Sequence, residues 1–242
     1  MRCGSVTVWA LGGLAALEGA PASAGPWARE AGDLFISFQI SAEQDPSQVI
    51  EQGLWEPEAY ASLYTEYGLG RSLTLGADIG RGEVSQSGVA FLRYTLTPPD
   101  ATWQWAVDGG LGVRQTGEGQ SNGLVRLGAS VGRGLGEHDG GWPMLLRHQG
   151  GWIALDAALL YDLEVEDVIW QTEGTLGLSL TDRTTAIFSL KAEEWPGADL
   201  VVTATPSLAF DILPDTTLRI GARGALTGSS DVGVLLSLWH TF

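Results

Sequence analysis

Residues 103–114 read Trp-Gln-Trp-Ala-Val-Asp-Gly-Gly-Leu-Gly-Val-Arg, and the alternation in this stretch decides the fold. Trp103, Trp105, Val107, Leu111 and Val113 fall on one parity; Gln104, Ala106, Asp108, Gly110, Gly112 and Arg114 fall on the other. A period of two places successive side chains on opposite faces of a strand, so one face is apolar and the other small, polar or charged.

Working outward, the same phrase recurs. Leu34, Ile36, Phe38 and Ile40 oppose Ser37, Gln39 and Ser41, while Leu73, Leu75, Ala77 and Ile79 oppose Thr74, Gly76, Asp78 and Gly80. Opposite the aliphatic rows stand Glu66, Asp78, Arg93, Asp108, Arg114, Arg126, Asp156, Glu173, Lys191, Asp211, Arg219 and Arg223. A charge at the midplane of a lipid-facing barrel wall costs about 2–4 kcal/mol, whereas a lumen wall carries it in contact with water. A soluble sandwich shows the same alternation with the polar face outside. Parity alone therefore leaves two orientations open, and other signals must separate them.

The N-terminal residues carry an export signature. Arg2 supplies the positive charge, Val6 to Leu17 the apolar run, and Ala22-Ser23-Ala24 the small-x-small site, so residues 1–24 are expected to be a cleaved signal peptide. Residues 25–242 then form one domain. Cys3, the only cysteine, precedes the apolar run and is lost with it, which excludes disulfides and thiolate metal sites from the mature chain. Removing Arg2 and Glu18 takes one charge of each sign and leaves the net charge at -16. That acidity argues against nucleic acid as a partner. After Ala24 no apolar run is long enough for a spanning helix, so a membrane location requires a barrel.

Two further signals favour the membrane. Tyr67, Tyr94, Trp103, Tyr161, Trp170 and Trp239 lie near expected strand ends, where barrels carry aromatic girdles. The chain closes on Val232, Val234, Leu236, Leu238, His240 and Phe242, all of one parity. This ending resembles the C-terminal signal of bacterial outer-membrane proteins, which implies that Leu236, Leu238, His240 and Phe242 are read by the barrel assembly machinery. The expected setting is the outer membrane, with its lipid and lipopolysaccharide as partners.

Short turns are expected within 67–75, 96–103, 180–188 and 213–220, and a longer one over 133–150. Outer loops are expected at 43–58, 82–87, 115–122, 162–167, 194–199 and 227–231. Short turns belong on the periplasmic side, which gives a transmembrane antiparallel up-and-down β-barrel of about twelve strands, with ten or fourteen as alternatives. The 133–150 segment is long enough to hide a hairpin or a short plug. The phrase Tyr67-Gly68-Leu69-Gly70-Arg71, followed by Leu73-Thr74-Leu75-Gly76, resembles that of the porin-like transporter barrels of proteobacteria, including a family associated with phenol degradation. The resemblance implies architecture and location, and no functional residue is carried over from it.

Little in the chain suggests covalent chemistry. His138 and His148 lie in one glycine-rich segment near Ser130, Glu137 and Asp139, and His240 shares the apolar parity of the last strand. None falls in a nucleophile motif, so no catalytic residue and no cofactor is assigned. Glu43, Asp45, Glu51, Glu56 and Glu58 make the first loop acidic without an ordered metal-ligand register. Glycines 76, 80, 110, 112, 128, 132, 177 and 221 share the polar parity, where they either accommodate large neighbours or leave an open path. The sequence supports a porin-like passive channel for small hydrophilic solutes. The alternative is a closed barrel with a structural or surface-interaction role, and a lipid-acting barrel enzyme is a minor third.

Overall fold

The computed structural model describes residues 25–53, 56–83, 85–116, 119–136 and 149–242. The expected signal peptide, His138 and His148 lie outside the described residues. So does most of the 133–150 segment; residues 133–135 end a strand.

The strands are β1 (Leu34–Gln44), β2 (Glu58–Gly70), β3 (Leu73–Arg81), β4 (Ser85–Thr95), β5 (Gln104–Thr116) and β6 (Ser121–Leu135). They continue as β7 (Gly151–Asp162), β8 (Asp167–Thr181), β9 (Thr184–Glu194), β10 (Val201–Leu213), β11 (Thr216–Thr227) and β12 (Val232–Thr241). Each pairs antiparallel with its sequence neighbours, and β1 pairs with β12 to close the barrel. Closure leaves no unpaired edge, which a bilayer requires. Twelve strands with both termini at one rim agree with the sequence expectation.

Turn chemistry explains the short connections at the terminal rim. Arg71 and Ser72 both have positive φ, 55° and 64°, the backbone of a two-residue hairpin turn matched to strand twist. Residues 182–183 and 214–215 also join strands directly, each beside a register shift that accommodates the bend. Six connections lie at the opposite, loop rim. The first carries the fold's one described helix, α1 (Pro46–Gln52), capped by Asp45 and ended by Gly53 in the left-handed conformation.

Burial settles the orientation that parity left open. Leu111, Val113, Leu127 and Val234 are exposed to 62–69%, while Glu66 and Ser237 on the opposite face are exposed to only 1%. A soluble protein would reverse this arrangement. Here apolar rows point out and ionised rows point in, as lipid demands on one side and a lumen on the other.

The barrel's inner face departs from the expected polar wall in three ways. First, it carries apolar clusters near both rims. Val89, Leu124, Ala158, Leu160 and Ile169 pack with Trp195 at the loop rim, and Trp152, Ala154, Ile187 and Ala209 pack with Trp27 and Trp239 at the terminal rim. Second, Trp239 is therefore not part of an outer girdle. Its register opposite Ser37 and Thr217 turns it inward, because it differs by one residue from the outward Leu238. Tyr67, Tyr94, Trp103 and Tyr161 do stand exposed on the outside.

Third, a plug-like element is built from residues 25–33. This strap enters the terminal rim before β1 and lies against the inner wall. Gly32 N–H donates to Gly68 O at 2.9 Å and Gly68 N–H to Asp33 O at 2.9 Å. Gly68 is required there: a Cβ on it would lie 1.7 Å from Glu30 O.

Candidate functional site

The lumen is the candidate site, and alternate positions of every strand build it. The twelve ionisable residues expected to line it all lie on the inward parity, as the register rows show: Asp156 faces Glu173, Glu173 faces Lys191, and Arg93 faces Asp108. What they do there divides them into three sets.

The first set anchors the strap. Glu66 accepts hydrogen bonds from Arg29 Nε at 2.7 Å, from Arg93 Nη1, and from the Tyr64 hydroxyl at 2.6 Å. Arg93 Nη1 also donates to Gly25 O at 2.8 Å, and Thr95 Oγ1 donates to Pro26 O at 2.9 Å. Two cations and a phenol satisfy one carboxylate, which makes a buried charge tolerable in this wall.

The second set consists of ion pairs along the wall. Arg126 Nε donates to Asp108 Oδ1 at 2.7 Å, Arg114 Nη2 to Asp162 Oδ2 at 2.5 Å, and Arg223 Nη1 reaches Glu43 Oε1 at 2.9 Å. Lys191 Nζ is 2.8 Å from Glu193 Oε2 on its own strand. The other pairs join strands that are adjacent or one apart, so they run around the wall instead of crossing the lumen. Asp162 also accepts from Asn122 Nδ2 and from the backbone N–H groups of Glu164 and Val165, which fixes the turn after β7. Phe91 lies between two guanidinium groups, 5.3 Å from Arg93 and 5.2 Å from Arg126.

The third set has no such partner. Among the described residues Asp78, Asp156 and Glu173 have no cation within 4.0 Å and no side-chain hydrogen bond, in contrast to nearly every arginine of the wall. Arg219 is the exception among the cations: it donates to Ser207 Oγ at 2.8 Å and lies over Trp239, without a carboxylate. Asp78 on β3 is within electrostatic reach of Arg126 on β6 and Lys191 on β9, and Asp156 on β7 of Arg93 on β4, so these charges lie within reach of strands that are not their neighbours. Asp211 sits apart, exposed at the terminal rim and bonded by Thr217 Oγ1.

Glycines on the inward parity accommodate large neighbours. A Cβ on Gly76 would lie 2.1 Å from Phe91 Cζ, one on Gly177 2.4 Å from Trp152, and one on Gly132 2.6 Å from Trp27. His240 faces outward as expected, with Nδ1 2.8 Å from Thr216 Oγ1 and its ring edge-on to Phe242.

Parity would have found two residues that the sequence reading left out. Glu43 continues the row of Ser37, Gln39 and Ser41, and Asp162 continues that of Asp156. Arg29 had no such signal, since it belongs to no strand.

No protein-family profile and no curated protein matches the chain by sequence. Solved structures do match by shape. The KdgM porin superposes with a TM-score of 0.55 at 10% identity, over 85% of this chain and 99% of that one. The NanC porin gives 0.52 at 10% identity, over 85% and 98%. An outer membrane channel from Pseudomonas putida gives 0.57 at 11% identity, over 89% and 97%. Identities this low speak for architecture alone, and on that level the chain has the fold of the outer-membrane β-barrel porins.

Proposed function

We propose that this chain is a porin-like passive channel of the outer membrane that passes small hydrophilic solutes. The observation that carries the reading is that, among the described residues, Asp78, Asp156 and Glu173 on the inner wall at mid-barrel form no ion pair. Ionised groups without protein partners need water, and a chain of water along the axis is a path for small polar solutes. The porin fold supports the reading, and so does the apolar exterior, which would meet membrane lipid and, near the loops, lipopolysaccharide. In this reading Leu236, Leu238, His240 and Phe242 form the segment recognised by the assembly machinery. No covalent step is assigned to any residue.

Planar-bilayer recording of the purified protein tests the proposal. Discrete conductance steps are expected, and their absence above background overturns it. One observation favours the closed-barrel reading instead: apolar clusters stand on the inner wall near both rims, and the strap lies beside one of them. Liposome swelling with sugars of graded size separates the two, because a closed barrel admits none.

A further inference from the structure

The outer surface carries a feature that transport does not explain. An apolar groove of about 480 Å³ runs from Trp103, just before β5, across β6 to β9 on the lipid-facing side, lined also by Val131, Ile153, Leu155, Phe188 and Leu190. Its floor is Gly174, where a side chain is missing from the outward row and a Cβ would meet nothing closer than Leu155 Cδ1 at 4.0 Å. Gly174 is the middle residue of the 15-residue β8; Leu155 and Leu190 stand beside it in register, and Ile153, Leu176 and Phe188 lie two residues nearer the terminal rim. The groove thus opens from mid-barrel toward the terminal rim.

At the rim end of the groove stands Arg133. It is outward-facing and exposed, its guanidinium carbon is 5.9 Å from the Trp103 ring centre, and among the described residues it has no carboxylate within ion-pair distance. A cation with no carboxylate partner among the described residues, two residues from the terminal-rim end of β6 and beside an apolar slot, is complementary to an anionic phosphate esterified to an acyl glycerol.

We propose that this groove seats one glycerophospholipid of the periplasmic leaflet, with an acyl chain over Gly174 and the phosphate at Arg133. The inference rests on the reading that the outward face is in the membrane with its termini periplasmic, and it does not depend on whether the lumen conducts.

The test is native mass spectrometry of the detergent-extracted protein after delipidation and addition of phosphatidylethanolamine. The wild type is expected to retain one lipid. Arg133→Ser should weaken retention about fivefold, the scale of one cation near a lipid surface. Gly174→Leu, which fills the floor, should weaken it at least as much, while Leu111→Ala on a distant part of the exterior should not. Heat-modifiable gel mobility checks that each variant is a folded barrel. Failure of the wild type to retain lipid, retention unchanged in both variants, equal loss in Leu111→Ala, displacement by glycerol phosphate alone, or a protein dimer in place of the lipid adduct would each overturn the proposal. Bilayer recording of the same samples keeps the two readings apart. Lost conductance with lipid retained sinks the channel only, and intact conductance without lipid retention sinks the lipid site only.

Discussion

Gly76 on β3 and Phe91 on β4 are opposite each other on the inner wall, and the absence of a side chain on the first gives the second its place between Arg93 and Arg126. A Cβ on Gly76 would lie 2.1 Å from Phe91 Cζ, so Gly76→Val must displace the ring. The expected cost is about 1–3 kcal/mol, as for other overpacked sites. Phe91→Ala in the same chain should recover part of it. A double-mutant cycle in urea checks the coupling, and strictly additive losses would show that the two residues do not share this space.

Arg93 ties the strap to the wall through Glu66 and Gly25 O. Arg93→Ala leaves Glu66 with Arg29 as its only cation in a buried setting, and a loss of about 3–5 kcal/mol is expected from breaking such a pair. The strap should loosen as well, which predicts larger conductance steps than wild type. Glu66→Gln, which puts an amide donor against Arg29 or Arg93 and leaves both guanidinium groups without their anion, should loosen the strap as well. Conductance identical in all three proteins would mean that the strap does not narrow the path.

Ions crossing mid-barrel meet Asp78, Asp156 and Glu173, which form no ion pair among the described residues, whereas most wall arginines are already paired. Cations should therefore permeate better than anions. The triple variant Asp78→Asn, Asp156→Asn, Glu173→Gln should lose this preference, seen as a reversal potential under a potassium chloride gradient that moves toward or past zero. A wild-type channel that favours chloride contradicts the prediction while leaving conduction itself intact.

At the loop rim, Asp45 accepts from Ser47 N–H at 2.8 Å and from Ser230 Oγ at 2.8 Å, joining the first loop to the last. The backbone hydrogen bond from Ser47 holds its carboxyl below the usual carboxylate value, with the two serine hydrogen bonds adding to the effect. A lowered folded value means that this tie is present above the unfolded pKa and is lost as pH falls through the folded one. Amide exchange in residues 46–53 should thus speed up only below about pH 4, and Asp45→Ala should show the faster exchange already at pH 7.

Alternation by itself determined which residues share a face, and the turn signals between the alternating rows placed the turns and gave about twelve strands with ten or fourteen open, because a pleated backbone converts odd and even positions into two surfaces without reference to anything distant. Three things needed the closed barrel. Whether the ionised face was inside followed only from closure, since sequence parity is the same for a lumen and for a solvated exterior. The fate of each charge followed from which strands become neighbours across the register: Arg93 found Glu66 two strands away, while Asp78, Asp156 and Glu173 form no ion pair among the described residues. The strap was decided last, because residues 25–33 have no periodicity and are held by backbone groups and by Glu66, contacts that exist only once the wall around them has formed.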